Sequence, residues 1–451
     1  MLCRKIPPLF QPRPWHFSMS ESDPVKPVDK PAATAAPHMP RSFAALESIP
    51  FRWLVSSLGT FFLAMQGQLV VRSLLAYELT QSPFALAMVN LVIATPMSIG
   101  LLFSGAIIDR VERRGLTIVS QSIVLVNELV VLALLVAGVL EFWHLLVTAF
   151  ILGVNFPFLM PTRTAMIYSL VGREKLGNAM ALQATALNIA RIVGPAGMGL
   201  LIPLITMPGA YLVSILLYGF SIYGMVRLPK SYPDNKTAKG FFEDVTYSFK
   251  YVANNRAILL CLIFGLFPML LALPIISFLV VFTESVWGVS ETALGIMMGS
   301  VGVGGIIGSL LVARLGDTMK RARVMMFAAL IFGVFLAGFS ISPYYYVALP
   351  ILLVSNIFAN MSQTLNQTLI QLLADNEVRG RMSSLMMLTV GLTPLGVLPV
   401  AYFAEFYGIA NTMFVACIML VIVVLAFFML SPTLRKLDKD PRLTEIQEVQ
   451  D

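Results

Sequence analysis

The sequence predicts an all-α integral membrane protein of twelve helices, and three observations support this fold class. The first is composition: the 451 residues are 57% hydrophobic and 12% charged, with a mean hydropathy of +0.82, whereas soluble domains are nearer half apolar and a quarter charged. The second is that apolar runs of about 20 residues, the length that crosses a bilayer as a helix, recur after residue 50. The third is the placement of the basic residues.

Twelve apolar runs divide the chain into two sets of six. The runs lie at 52–77, 83–107, 115–138, 142–167, 179–203, 209–227, 257–283, 291–312, 324–342, 346–372, 383–405 and 411–431. We predict a disordered cytoplasmic tail at 1–50, a first six-helix bundle at 51–227, a cytoplasmic linker at 228–256, a second bundle at 257–431 and a cytoplasmic tail at 432–451.

The basic residues alternate with the runs. If the N-terminus is cytoplasmic, every Lys and Arg except Arg72 and Arg191 falls in a cytoplasmic segment, Arg163 included, and the opposite loops receive none. This is the positive-inside pattern of membrane proteins. It accounts for the net charge of +7 without a nucleic-acid partner. We therefore predict a multi-pass protein of the inner (plasma) membrane with both termini in the cytoplasm.

The linker has one apolar face in its second part. Apolar residues recur there at steps of three and four, which favours a helix lying on the cytoplasmic membrane surface; the alternative is an ordinary linker. These residues are Phe241, Phe242, Val245, Phe249 and Val252.

The stretch 187-LNIARIVGPAGMGLL-201 places a charge inside an apolar run. Arg191 lies near mid-depth, where a charge costs at least about 2.5 kcal/mol and requires a partner. Glu128, in the third run, is the one acid at similar depth, so we predict an Arg191–Glu128 pair. Its role is either a static buried ion pair or proton coupling, in which Glu128 exchanges a proton.

The tenth run carries an amide stripe. Asn356, Asn360, Gln363 and Gln367 are spaced four, three and four residues apart, so they share one helix face. Amides on a membrane helix require water or polar partners. The stripe therefore predicts either a cavity wall or contacts between helices, with Asn155 of the fourth run as its counterpart.

The sequence shows no constellation for covalent chemistry. It contains no nucleophile–base set, phosphate-binding loop or metal-ligand cluster, and its three cysteines are far apart. We expect no catalytic residues, no metal and no cofactor, and an energy source other than ATP bound by this chain.

The loop 105-GAIIDRVERR-114 resembles the loop signature of the major facilitator superfamily. The stretches 78-ELTQSPFALA-87, 159-LMPTRTAMIYSLV-171, 191-RIVGPAGMGLL-201 and 379-RGRMSSL-385 agree with it in order and spacing. Together they resemble the branch that contains the enterobactin exporter and macrolide efflux proteins, over about 51–431. The resemblance implies two six-helix halves related by a pseudo-two-fold axis, a monomer and alternating access.

The resemblance also implies a gate at the cytoplasmic rim, in which a carboxylate caps a helix terminus of the facing half. The alternative is a charge cluster that only keeps the loop in the cytoplasm. The loop of the second half departs from the pattern, because Thr318 and Ala313 replace its Arg and Gly. The gate residues are Gly105, Asp109, Arg110 and Arg113 in the first half and Asp317 and Arg321 in the second.

Two further sites follow from the resemblance. A Gly-Pro motif in the fifth span, here Gly194, Pro195 and Gly197, is associated with efflux, or else serves close packing at a kink. The first span lines the cavity in this family, so Gln66 and Arg72 are candidates for the cavity wall. Arg72 either binds an anionic or carbonyl-rich substrate or extends towards the interface.

These observations predict a secondary transporter in the lipid bilayer. We expect it to export a small amphipathic molecule, such as a drug, siderophore or metabolite, with a proton gradient as driver. Uptake of a small metabolite by symport or uniport is the alternative on the same fold. A non-transporting receptor or a polytopic enzyme is a remote third possibility, and an enzyme would require the reactive constellation that the sequence lacks.

Overall fold

A computed structural model describes residues 41–108, 110–232, 250–315, 320–375, 378, 382, 385–386 and 392–439. The described residues are helical apart from short connections. The α-helices are α1 (Ile49–Thr80), α2 (Pro83–Ile108), α3 (Arg113–Val136), α4 (Phe142–Val226), α5 (Arg256–Leu271), α6 (Ile275–Val281), α7 (Glu291–Leu315), α8 (Arg321–Ser340), α9 (Tyr345–Leu373), α10 (Pro394–Tyr407), α11 (Ile409–Leu430) and α12 (Pro432–Lys436).

The outer faces of the helices are apolar, unlike those of a soluble protein, and polar side chains on the helices are turned inwards beside an apolar core. On α3, Gln121, Asn127 and Glu128 are buried, while Val126 and Val130 on the opposite side are exposed. Apolar side chains are stable in lipid, whereas polar groups there require internal partners. Ten helical segments within the described residues are long and apolar enough to cross a membrane.

The long helix α4 contains breaks at Gly172 and Thr206, where φ is +70° and +62°. We call its segments α4a (142–171), α4b (173–205) and α4c (207–226). Along α1, Gly59 and Gly67 approach residues 186 and 194, so α4b runs parallel to α1. The Ser57 hydroxyl donates to the Ser221 carbonyl oxygen over 2.8 Å, so the chain reverses at Thr206 and α4c returns along α1.

The bundle has two ends. The tail end holds the start of α1, the break at Gly172 and residues 228–232, and the Glu405 end holds the connections near residues 81, 206, 287 and 408. Polar side chains cap the N-termini of several helices: Ser48 accepts a hydrogen bond from Phe51 N in α1, and Asn255 accepts one from Ile258 N in α5.

The predicted spans agree with the helices in number and position. Within the described residues, Lys175–Val226 contains two passes, and α10, described from Pro394, supplies the eleventh span. The seventh span differs: it breaks between α5 and α6, where Pro268 and Pro274 lack the N–H that would continue the helix, and it ends in a π-helical turn, Phe282–Val286. The tail predicted as disordered at 1–50 is ordered in its last part, because Arg41–Glu47 form a 3-10 helix with Ala45 buried and α1 begins at Ile49. Residues 1–40 and 440–451, and linker residues 233–249, lie outside the described residues.

Candidate functional site

A cavity of about 450 Å³ lies between the first half of the bundle (49–226) and the second half (256–430). The whole predicted amide stripe of α9 lies on its wall, and Gln66 of α1 and Arg191 of α4b lie on the opposite side. The lining includes Leu273, which follows α5, and Ile370, which lies three residues before the tail end of α9. The cavity therefore extends towards the tail end. Its residues come from several helices of each half, so relative motion of the halves would reshape it.

The amides of the stripe differ in their hydrogen bonds. Asn356 and Asn360 donate to the carbonyl oxygens of Leu352 (2.9 Å) and Asn356 (3.2 Å) on their own helix, which leaves their side-chain oxygens available. Gln363 and Gln367 are exposed on the cavity wall. The wall is therefore rich in hydrogen-bonding groups, and the role of these residues as substrate contacts stays a prediction.

Asn155 does not join this wall. It is buried in α4a, and its amide nitrogen donates to Ile151 O over 2.8 Å on the same helix. Its place as a counterpart of the amide stripe is therefore not supported by its surroundings.

The predicted Arg191–Glu128 pair is wrong. Glu128 pairs with Arg72 of α1 instead, in a buried, charge-assisted hydrogen bond from the guanidinium to Oε1. Arg191 is exposed on the wall of the cavity, and the described residues offer its side chain no hydrogen bond or ion pair. The prediction failed in depth as well as in direction: Gly194 faces Gly67 of α1, so Arg191 lies about two turns nearer the tail end than Arg72 and its partner Glu128.

The Arg72–Glu128 pair lines a second cavity, of about 200 Å³, within the first half. Both side chains and Gln68 are buried, and Glu128 Oε2, Arg72 Nε and both amide atoms of Gln68 have no hydrogen-bond partner among the described residues. Leu69 lines both cavities and separates them. A half-satisfied polar cluster beside a cavity of this size is a place where water is expected.

The residues of the Gly-Pro motif differ in their surroundings: one packs against α1 and another lines the cavity. A Cβ at Gly194 would lie 2.8 Å from Leu63 O on α1, so only glycine permits this approach. Pro195 lies on the cavity wall. A Cβ at Gly197 would meet no heavy atom within 4 Å. Close packing thus explains Gly194, and an efflux role for the motif stays a prediction.

Gly199 lies at a close crossing between the two halves. A Cβ there would lie 2.6 Å from the Cα of Gly295 on α7. Next to this crossing, the Thr292 hydroxyl donates to Gly199 O over 3.1 Å. Tyr77 and Ser285 also share a hydrogen bond between the halves. These contacts all lie towards the Glu405 end, so the halves are joined there.

Glu405 makes the third connection at this end. Its Oε1 accepts a hydrogen bond from the Ser82 hydroxyl and one from Phe84 N at 3.1 Å, at the first turn of α2. A carboxylate at a helix N-terminus is stabilised by the free N–H groups and the helix dipole. The second half therefore caps a helix of the first.

Glu405→Gln is expected to loosen the Glu405 end by roughly 0.5–1 kcal/mol, because the amide keeps the shape but loses the charge. Hydrogen exchange of a peptide covering residues 82–88 should then accelerate about two- to fivefold. Glu141→Gln, at an exposed acid of the same end whose contacts lie within the first half, is the matched control. Unchanged exchange in Glu405→Gln would contradict the capping role.

The charged loops at the tail end are organised by acids that we did not predict. Glu112 caps α3 at Arg114 N and Gly115 N and also accepts from Ser231 N over 3.0 Å. In the second half, Asp438 accepts from Ala322 N over 2.8 Å at the start of α8.

The predicted gate is placed only in part. Gly105 lies in α2, Arg110 is exposed after it, Arg113 begins α3 and Arg321 begins α8. Asp109 and Asp317 lie outside the described residues, so the gate stays a prediction.

Arg163 is not in a cytoplasmic loop, contrary to its assignment from the charge pattern. It is 1% exposed, and its guanidinium lies 4.6 Å from the centre of the Phe61 ring. Its three nitrogens have no hydrogen-bond partner in the described part of the chain. The cation–π contact with Phe61 is its stabilising interaction there.

Sequence reasoning also missed two amides of the cavity wall, Asn188 and Asn366. Asn188 precedes Arg191 by three residues on one helix face, a spacing that could have revealed it. Asn366 falls outside the regular stripe, and its Oδ1 is buried without a hydrogen-bond partner within the described residues.

Solved structures share this architecture. The nucleoside transporter NupG superposes with a TM-score of 0.69 at 14% identity, covering 84% of this chain and 98% of that one. A bacterial homologue of the human lysosomal transporter Spinster gives a TM-score of 0.65 at 16% identity, covering 90% of this chain and all of the other. At these identities the likeness establishes the fold.

The sequence comparisons identify the family. The Staphyloferrin A transporter of Staphylococcus aureus (strain NCTC 8325 / PS 47) is 22% identical over 356 residues, which cover 78% of this chain and 88% of that protein. The family model described as transmembrane secretion effector matches residues 35–449, nearly the whole chain. The chain is therefore a membrane transporter, not an enzyme, and belongs to the transmembrane secretion effector family of the major facilitator superfamily.

Proposed function

We propose that the protein exports a small amphipathic molecule from the cytoplasm by alternating access, in exchange for protons. The observation that carries the proposal is the cavity between the halves, which extends towards the tail end, while hydrogen bonds and glycine contacts join the halves at the Glu405 end. With the tail end in the cytoplasm of a bacterial-type inner membrane, as the basic residues favour, this conformation loads substrate from inside the cell.

The contacts at the Glu405 end supply the reversible element that alternating access requires. They combine hydrogen bonds, each worth about 1 kcal/mol, with apolar packing in a cluster that both halves share, and no disulfide joins the halves among the described residues. Opening this end costs a few such contacts, and closure of the tail end offsets the loss. A substrate drives the exchange when it binds the two conformations differently.

The Arg72–Glu128 pair is the best candidate for proton coupling. An ionisable pair inside a membrane bundle is a functional candidate by default. Glu128 is buried beside the smaller cavity, and its Oε2 is unpartnered within the described residues. Tyr211 and Tyr218 of α4c are the other titratable groups near the pair. If movement of α1 separated Arg72 from Glu128, the carboxylate would take up a proton from water, and re-formation of the pair would release it.

Everted membrane vesicles offer a direct test. Respiration acidifies the vesicle lumen, and acridine orange fluorescence reports the gradient. Added outside, citrate, a citrate-based siderophore, erythromycin or ethidium should restore fluorescence if the protein exchanges it for luminal protons. Vesicles without the protein and vesicles treated with an uncoupler are the controls.

The assay separates the proposed export from its alternative. A compound that collapses the gradient only when loaded inside the vesicles would indicate proton-coupled uptake in the cell. A compound that is transported without any fluorescence change would contradict proton coupling and leave export intact.

A further inference from the structure

We infer that the substrate is an anion rich in oxygen atoms, and that Arg191 is the residue that selects its charge. The inference deepens the proposed function and rests on it for the movement of the ligand, but the binding site stands on the structure alone. It starts from the charges on the wall of the large cavity.

Among the described residues that line that cavity, Arg191 is the only charged one. Elsewhere in the bundle, the buried Arg72 is neutralised by Glu128 in the separate smaller cavity, and the buried Arg163 lies over the Phe61 ring. Arg191 therefore gives the large cavity a net positive charge without an internal counter-charge. A cation held in a membrane bundle requires a partner, and an anionic ligand would supply it with charge-assisted hydrogen bonds.

Arg191 and the amide stripe of α9 lie against the same helix, α7, whose glycines let both neighbouring helices approach closely. On α7, a Cβ at Gly302 would lie 3.1 Å from Arg191 O, and a Cβ at Gly305 would lie 3.2 Å from the Asn360 amide nitrogen. Residues three apart occupy the same turn of a helix face, so Arg191 and Asn360 flank the same part of α7. A ligand at this place would contact the first half through the guanidinium and the second through the amides.

The lining chemistry disfavours the other charge classes. A cationic drug would bring a second positive charge beside Arg191 and would find no carboxylate on the described part of the wall. A neutral apolar molecule would leave the guanidinium and the amides Asn366, Gln363 and Gln367 without partners, at a cost in free energy for each group removed from water. An anion with several oxygen atoms satisfies both, and a cavity of about 450 Å³ accepts a molecule of drug size.

Binding to the purified full-length protein tests this without any transport assay. Thermal unfolding in detergent is followed with citrate as a small polycarboxylate probe, triethyl citrate as its neutral analogue and tris(2-aminoethyl)amine as a cation. We expect saturable stabilisation by citrate alone. Arg191→Gln should weaken citrate binding roughly 10- to 100-fold, and Arg191→Lys should retain a measurable part of it. Arg227→Gln, at an exposed cation that ends α4, should bind citrate as the unaltered protein does.

Each outcome decides the inference. No stabilisation by citrate up to about 50 mM, equal stabilisation by triethyl citrate, or an affinity for citrate that Arg191→Gln leaves unchanged would overturn it. If citrate binds through Arg191 but no compound changes the vesicle signal, the proposed export fails while the anion site stands. If only cationic compounds are exported, the proposed export stands and the anion site is contradicted.

Discussion

Glu128→Gln is expected to destabilise the protein by about 3–5 kcal/mol and to abolish proton-driven transport. The substitution leaves the Arg72 guanidinium buried without a counter-charge, which is the costly way to break a buried ion pair. Arg72→Met should be milder, since the stranded carboxyl group can become neutral by binding a proton, whereas a guanidinium cannot lose one. The double variant removes both charges and should recover most of the stability, although not the proton-driven transport.

Thermal unfolding of the three variants in detergent measures the stability part of this cycle. Exchange of a compound that is active in the vesicle assay, with and without a pH gradient, measures the coupling. Glu141→Gln, at an exposed acid before α4, should keep proton-driven transport and lose no more than about 1 kcal/mol of stability. Retention of proton-driven transport by the double variant would show that the pair is a static ion pair, and coupling would have to reside elsewhere.

The features that were predictable from the sequence are local ones. The amide stripe of α9 follows from periodicity within one helix, and the helix spans follow from length and hydropathy, so both required no knowledge of neighbouring helices. The Arg191–Glu128 error arose because the apolar runs indicate neither the exact ends of the helices, and hence the depth of a residue, nor the direction of a helix face. The ends of the helices matter as well: Arg72 and Glu128 each lie eight residues before the last residue of α1 and α3, which corresponds to equal depths of about 12 Å.

Contacts between distant segments were not accessible in this way. Arg163 looks like a loop residue because it precedes Arg173 and Lys175, and only the packing of α4a against α1 places it over the Phe61 ring. The Glu405 cap on α2 joins residues more than 300 positions apart. Glycine content of the fifth span indicated close packing, but which glycine meets which helix is a property of the assembled bundle.

Gly199→Ala is expected to reduce transport at least about tenfold, while the matched substitution Gly197→Ala leaves it nearly unchanged. A Cβ at Gly199 would lie 2.6 Å from Gly295 Cα and 2.9 Å from Glu291 O, both backbone atoms of α7 that cannot rotate away. A Cβ at Gly197, two residues earlier, meets no heavy atom within 4 Å. Both variants replace a glycine of α4b by alanine and lose the same backbone freedom. A difference in transport between them therefore reports the contact at the crossing of the two halves.

The physical reason for the loss is that the conformation joined at the Glu405 end is no longer attainable. Backbone must separate by more than 0.5 Å to relieve such a contact, and packed interiors transmit the displacement. Spin labels at Leu79 and Phe406, in a background without native cysteines, report the separation of the two halves at this end. The mean distance should lengthen in Gly199→Ala and stay constant in Gly197→Ala. Normal transport by Gly199→Ala, or an equal loss in both variants, would show that this crossing does not govern alternating access.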